Sequence, residues 1–170
     1  MSDLHIRDWS SSDSIPELTQ LLHAAYAHLA QRGLRYVATH QDDVITARRL
    51  GRGFALLVFL RGELVGTATL YPPRPDSPVP WYRRPDVLHF GQFGVRPDLQ
   101  RNGIGVRILR ELERRARAQG ASELACDTAE QAEHLRSWYG REGYRLIGHT
   151  QWPITNFRSV VLSKFLDPAP

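Results

Sequence analysis

The stretch from Phe93 to Gly105 carries residues that could bind an anion. It reads FGVRPDLQRNGIG and leads from an apolar segment into an amphipathic one. The N–H groups that begin a helix have no partner within the helix, and the helix dipole adds positive charge there. Gly103 and Gly105 lack side chains, so a phosphate could approach the backbone, and Arg101 adds a fixed charge beside them.

Three kinds of phosphate-binding loop compete for this pattern. A Walker loop ends in G-K-[ST], which the chain lacks, and the dinucleotide fingerprint needs a third glycine where Ile108 stands. The remaining pattern is Q-x-x-G-x-G, which runs here from Gln100 to Gly105. This hexapeptide resembles the pyrophosphate loop of the GCN5-related N-acetyltransferase (GNAT) superfamily, which binds acetyl coenzyme A. An ordinary glycine-rich turn is the alternative.

A second motif, WYGREGY from Trp138 to Tyr144, resembles the superfamily pattern F-Y-x-x-x-G-F. The resemblance puts Tyr139 near the coenzyme sulfur, where a phenol could protonate the departing thiolate. A role in core packing is the alternative for this tyrosine. Many members also carry asparagine seven residues before it and alanine four before it, where this chain has Ala132 and Leu135. The asparagine contact to the coenzyme is therefore lost or supplied elsewhere.

The resemblance also assigns roles along the apolar segment that precedes the first motif. It implies a bulge near Phe93 to Val95, where the backbone would pair with the pantetheine arm. The Val95 N–H would then donate to the thioester oxygen and stabilise the oxyanion. The coenzyme-binding residues implied in this way are Phe93, Gly94, Val95, Gln100, Arg101, Asn102, Gly103, Ile104, Gly105 and Val106.

His89 is the candidate base, six residues before Val95, where superfamily members with a recognised base often carry glutamate or histidine. An ordinary histidine pKa of about 6.5 suits proton abstraction near neutrality. A core histidine with a backbone partner is the alternative, and Gln92 could instead orient a water. In a regular strand, His89, Gly91, Phe93 and Val95 would share one face.

The proline-rich segment from Pro72 to Asp86 cannot form a helix or a central strand. Trp81 and Tyr82 lie near its end, followed by two arginines. We interpret them as part of the rim of an acceptor pocket, because binding residues favour loops, while a stiff surface excursion is the alternative.

The elements that must position these residues follow from apolar periodicity and from cap and turn residues. Strands are expected at residues 4–9, 54–60, 63–71, 87–95, 123–128, 144–151 and 159–165, before a proline-ending tail. Helices are expected between Ser14 and Gly33, between Asp42 and Gly51, from Gly103 to Gly120, and over residues 131–140. This order resembles that of the superfamily. It implies one α/β (α+β) domain over residues 1–170, with a mixed, mostly antiparallel sheet of about seven strands and about four flanking helices.

The composition indicates the class of protein and the compartment in which it works. The hydrophobic fraction is 42%, no apolar run is long enough to span a membrane, and residues 1–5 do not read as a signal peptide. Cys126 is the only cysteine, which excludes an internal disulfide and fits a reducing cytoplasm. Lys164 is the only lysine among 22 basic residues, a bias we interpret as that of a GC-rich bacterial genome.

The formal net charge of +4 suits an anionic cofactor or substrate. The arginine-rich third helix could suggest DNA binding. We favour a solvated face with Glu111 and Glu113 as partners, because no DNA-docking motif accompanies it.

The resemblance implies an acetyl-coenzyme A-dependent N-acetyltransferase that acts by direct attack of a primary amine on the thioester. The acceptor stays open among a polyamine-like or antibiotic amine, an amino acid and a peptide terminus. Acetyl coenzyme A and the amine are the expected partners, with no metal, nucleic acid or membrane, and a homodimer is left open. The alternative is a catalytically silent coenzyme A-binding or sensor domain, which would not need Tyr139.

Overall fold

A seven-stranded sheet carries the stretches singled out above. The computed structural model describes residues 3–166, so Met1, Ser2 and the proline-ending tail lie outside it. The strands are β1 (Leu4–Asp8), β2 (Phe54–Leu60), β3 (Glu63–Tyr71), β4 (Val87–Val95), β5 (Glu123–Ala129), β6 (Arg145–Thr150) and β7 (Ser159–Phe165). Their order in the sheet is β1-β2-β3-β4-β5-β7-β6, and only the β4–β5 pair is parallel. The predicted α/β fold with a mixed, mostly antiparallel sheet is confirmed.

Four α-helices flank this sheet, as predicted: α1 (Ile15–Gln31), α2 (Asp43–Leu50), α3 (Ile104–Ala118) and α4 (Glu133–Arg141). The Ser14 hydroxyl caps α1 by accepting from the Glu17 N–H at 3.2 Å. Asp42 caps α2 in the same way, with 2.8 Å to the Ile45 N–H. Within residues 3–166, none of the helices is both long and apolar enough to cross a membrane.

The helices form one layer on each side of the sheet, as alternate residues of β2 show. Leu56 and Val58 belong to the core that includes α3. Ala55 and Leu57 belong to the core formed with α1 and α2. Strand β2 is therefore buried on both faces, which explains its continuous apolar sequence.

The arginines of α3 are largely paired along the helix. Arg114 and Arg115 both lie 2.7 Å from Glu111. Glu113 is not part of a solvated face, because its side chain is only 2% exposed; it pairs with Arg110 at 2.9 Å and with Lys164 at 2.8 Å. These ion pairs favour the structural interpretation of this basic helix.

The sheet splits between β4 and β5. These strands pair only over Val87–His89 and Glu123–Ala125. Beyond that point β4 stays paired with β3 as far as Val95, while β5 stays paired with β7 as far as Ala129. The diverging strands leave a gap in the middle of the sheet.

A bulge interrupts β4 beside this gap. Gly94 pairs with Thr67 and Gly91 pairs with Thr69, so β4 has one residue more than β3 between these pairs. Gln92 takes a φ of 47°, in the left-handed region.

The extra residue changes which side of the sheet the following side chains of β4 face. Phe93 and Val95 join the core on the α3 side, whereas the position of Gly91 faces Arg49 of α2. The strand is not regular: the bulge that the resemblance implies breaks the alternation, so His89 and Gly91 do not share a face with Phe93 and Val95.

Candidate active site

A cleft of about 930 Å³ occupies the region where β4 and β5 separate. It brings together most of the residues predicted to act in the site. Those that line it are Tyr82, His89, Gln92, Phe93, Gly94, Val95, Gln100, Gly105 and Tyr139. Those that do not line it are Trp81, Arg101, Asn102, Gly103, Ile104 and Val106.

The glycine loop forms an open cradle at the start of α3. Gly103 precedes the helix with a φ of 79°, and a Cβ built there would meet no heavy atom within 4 Å. The first hydrogen bond of α3 runs from the Arg107 N–H to the Gly103 carbonyl at 3.1 Å. The backbone N–H groups between these two residues come too early for a partner in the helix, so the loop fits an anionic group such as a pyrophosphate.

Two contacts tie this loop to the bulged strand. The Gln100 side-chain amide donates to the Val95 carbonyl at 3.0 Å. The Phe93 ring stacks on Trp138 of α4 with 5.8 Å between ring centres, and a Cβ on Gly105 would lie 3.6 Å from Trp138. The loop, the bulge and α4 are therefore held in one arrangement at this end of the cleft.

Helix α1 closes over the same part of β4. The Tyr26 hydroxyl donates to the Phe93 carbonyl at 3.0 Å. A Cβ on Gly94 would lie only 3.0 Å from the Ala25 Cβ, so glycine is needed for this close approach. Tyr26 has the helical spacing of core residues, and no pattern in the sequence indicates that its hydroxyl binds the bulged strand.

Tyr139 lies where α4 meets the gap. Its ring packs 6.1 Å from Phe90 and 5.6 Å from Tyr144. Burial raises the pKa of its phenol well above the ordinary value, so the hydroxyl stays protonated at neutral pH. Tyr139 lines the cleft, and its hydroxyl lies within hydrogen-bond reach of the buried thiol of Cys126 on β5. A protonated phenol in this position could donate a proton or a hydrogen bond.

His89 stands in an aromatic wall on the side of the sheet covered by α1 and α2. Its ring stacks on Tyr82 at 4.1 Å and lies 5.4 Å from Tyr71. The Nδ1 atom has no hydrogen-bond partner in the part of the chain that the structure describes. Burial, with a smaller effect from Arg74, lowers the pKa of His89 to about 4, so the imidazole is neutral at pH 7.

A half-buried carboxylate completes this wall. Asp127 of β5 accepts from the Tyr82 hydroxyl at 2.9 Å and from the Trp152 indole N–H at 2.8 Å. Burial raises its pKa, and these hydrogen bonds oppose the shift. Sequence reasoning missed Asp127 as a site residue. One sequence feature could have indicated it: an aspartate stands within the largely apolar strand sequence ELACDTA.

Two residues predicted to bind the acceptor, Trp81 and Gln92, do not present their side chains to an acceptor as expected. Trp81 lies outside the cleft, because its indole N–H donates to Glu123 at 3.1 Å and Arg84 lies over its ring at 4.3 Å. Gln92 lines the cleft but is 2% exposed, and its Oε1 accepts from the Gln41 amide at 2.8 Å. We therefore drop Trp81 from the acceptor site. The Nε2 of Gln92 has no hydrogen-bond partner among residues 3–166, so its water-orienting role stays a prediction.

Comparison with known proteins agrees with this geometry. The model of the acetyltransferase (GNAT) family matches residues 16–144. The chain is also similar to the S-(2-succino)cysteine N-acetyltransferase of Bacillus subtilis (strain 168). The two are 27% identical over 130 residues, which cover 75% of this chain and 76% of the relative.

Solved structures share the fold at lower identity. A GCN5-related N-acetyltransferase from Rhodopseudomonas palustris has a TM-score of 0.74 and is 22% identical, with 98% of each chain covered. An acetyltransferase from Elizabethkingia anophelis, solved with acetyl-CoA bound, has a TM-score of 0.70 and is 16% identical. Their alignment covers 98% of this chain and 100% of that one. At these identities the similarity shows the fold.

Proposed function

Because the chain belongs to the acetyltransferase (GNAT) family, we propose that it transfers the acetyl group of acetyl coenzyme A to a primary amine of a small molecule or peptide by direct attack. The observation that carries this proposal is the gap between β4 and β5 beside the open glycine cradle. A long, anionic thioester could enter along the gap with its phosphates at the start of α3.

The glycine loop would hold the pyrophosphate. The backbone from Arg101 to Val106 would supply N–H donors, Gln100 would brace the loop against Val95, and Arg101, with a positive φ of 63°, would add charge. Phe93, Gly94 and Val95 would hold the pantetheine arm along the bulged strand. Acetyl coenzyme A supplies an activated acyl group whose carbonyl carbon accepts the amine.

Two groups at the gap would assist the transfer. The Val95 N–H would stabilise the negative charge that develops on the carbonyl oxygen. Tyr139 would donate its proton to the departing sulfur, which its raised pKa allows because the phenol is fully protonated before the reaction.

His89 would take the proton of the attacking amine, directly or through a water. Its neutral imidazole is ready to accept at pH 7, although a pKa of about 4 makes it a weak base. Asp127 would act through Tyr82, whose ring stacks on His89 and whose hydroxyl binds the carboxylate. We therefore assign Asp127 as a positioning residue for this wall.

The relative in Bacillus subtilis bears a name that gives S-(2-succino)cysteine as its acceptor. We take this as support for a small-molecule acceptor here. The single buried cysteine is consistent with work in a reducing compartment, and we propose the cytoplasm of a bacterium.

The test is thiol release from acetyl coenzyme A, measured over a panel of primary amines, together with calorimetric binding of the coenzyme. We expect tight coenzyme binding and amine-dependent thiol release. Coenzyme binding without amine-dependent thiol release across the panel would contradict the enzymatic proposal and favour a sensor.

A further inference from the structure

The half of the cleft that lies under α2 carries positive charge that the proposed reaction does not use. Its charged lining, apart from histidines, consists of Arg48, Arg49, Arg52, Arg74, Asp76 and Asp127. Arginines therefore outnumber carboxylates there. Asp127 is half-buried, accepts two hydrogen bonds and interacts electrostatically with Arg49, so it offsets part of this positive charge and leaves the arginines in excess.

Three of these arginines have no ion-pair partner in the part of the chain described by the structure. Arg74 pairs with Asp76 at 3.1 Å. No carboxylate among residues 3–166 lies within ion-pair distance of Arg48, Arg49 or Arg52. Guanidinium groups cannot lose their charge near neutral pH, so this face attracts anions and repels cationic amines.

Arg49 is the deepest of the three and is held in place. One of its Nη atoms donates to the side-chain Oε1 of Gln41 at 2.6 Å, and Gln41 is fully buried. The other Nη lies 3.7 Å from the Cβ position of Gly91, directly over β4. A guanidinium has five N–H donors, so Arg49 keeps donors for a ligand next to the His89 wall. Arg48 and Arg52 are exposed and could approach the same ligand from the rim.

We propose that the acceptor is an amine that also carries a carboxylate, in the manner of a free amino acid. The carboxylate would bind Arg49, with Arg48 and Arg52 at the rim, while the amine would face the gap beside His89 and Asp127. This assignment rests on the proposed function. A polyamine would be repelled by the arginines, and a peptide terminus has no carboxylate next to its amine.

Matched pairs of amines test the carboxylate. The panel contains the common amino acids, each with its amide and its decarboxylated amine, for example phenylalanine, phenylalaninamide and phenethylamine. Both thiol release and calorimetric binding to the coenzyme A-loaded protein are measured. We expect loss of the carboxylate to lower kcat/KM and binding by about 10- to 100-fold, the size of a hydrogen bond to a charged group.

Variants test the arginines. Arg49→Gln and the double change Arg48→Gln with Arg52→Gln should raise KM for carboxylate-bearing amines and reduce their advantage over the amides. Arg141→Gln is the matched control, because Arg141 is exposed at the end of α4 and does not line the cleft. The affinity for acetyl coenzyme A should stay unchanged in all of them, which also reports that each variant is folded.

The outcomes separate this inference from the proposed function. Equal use and equal binding of amino acids and their decarboxylated partners would overturn the inference while leaving the transferase intact. Stronger binding of phosphoethanolamine than of every amino acid would also overturn it. Carboxylate-dependent binding without thiol release would contradict the transferase proposal and support the acceptor site. No binding of any carboxylate-bearing amine would overturn the inference.

Discussion

Replacing Gly103 with valine should block coenzyme binding without unfolding the protein. Gly103 has a φ of 79° and open space where a Cβ would stand, so the substitution meets no protein atom. The added side chain would instead occupy the space proposed for the pyrophosphate. A structural cost arises as well, because a side chain at positive φ is strained by about 1–3 kcal/mol.

Gly120 offers a matched control for that cost. It follows α3 with a φ of 81°, and a Cβ there also meets nothing within 4 Å. Gly120→Val should therefore lose a similar amount of stability, with a fall in Tm of about 2–4 °C for each kcal/mol in a chain of this size. Only Gly103→Val places its side chain in the proposed phosphate cradle.

The assay is calorimetric binding of acetyl coenzyme A to both variants, with thermal unfolding measured in parallel. Loss of two hydrogen bonds to charged phosphate oxygens, at about 1.5–3 kcal/mol each, predicts a rise in Kd of about 100-fold or more for Gly103→Val. Gly120→Val should bind as the wild type does. Equal affinities in two folded variants would refute the placement of the pyrophosphate at this loop.

Three further predictions concern single side chains. Tyr139→Phe should lower turnover by about 100-fold while the coenzyme Kd stays nearly unchanged; unaffected turnover with rate-limiting chemistry would leave Tyr139 a packing residue. For His89, the folded pKa of about 4 lies below the ordinary value of 6.5, so the unfolded chain binds the proton first as the pH falls. About 3 kcal/mol of stability should be lost between pH 6.5 and pH 4 and be fully present above pH 6.5. Urea unfolding at several pH values should show a smaller loss in His89→Gln, and identical pH slopes would argue against a buried neutral imidazole. Tyr26→Phe leaves the Phe93 carbonyl without its donor and should cost about 1–3 kcal/mol in urea unfolding; no change in stability would show that water replaces the hydroxyl.

Local signals in the sequence were enough to predict the elements. The bounds of β4 and β7 match the predicted residues, because turn residues and apolar runs mark their ends. Ser14 and Asp42 act as the expected helix caps. The glycine loop opens α3 at Gly103, as its pattern indicates. These features depend on neighbours within a few positions, so one sequence suffices to find them.

Features that depend on contacts between distant residues could not be predicted from the sequence. Tyr82 and Asp127 are far apart in the chain, and only the fold brings the Tyr82 hydroxyl into contact with Asp127 and the Tyr82 ring into contact with His89. Arg49 reaches the site because its side chain extends from α2 to within 3.7 Å of the Cβ position of Gly91. Trp81 has the same aromatic character as Tyr82, but the turn of 3₁₀-helix over Pro80–Arg83 directs only Tyr82 into the cleft. The extent of the domain over residues 1–170 stays a prediction.

The bulge at Gln92 explains how one strand can serve both halves of the proposed reaction. In a regular strand, residues 89 and 93 would face the same layer of helices, because side chains alternate with a period of two. The extra residue turns Phe93 and Val95 toward α3 and α4, where the coenzyme loop lies. It leaves His89 facing the α2 side, where the arginines without an ion-pair partner among residues 3–166 lie. A left-handed Gln92 is costly for a residue other than glycine. Its bond to Gln41, which also holds Arg49, offsets part of that cost. Gln92, where the side chains change faces, is therefore held by Gln41, which also positions Arg49 in the proposed acceptor site.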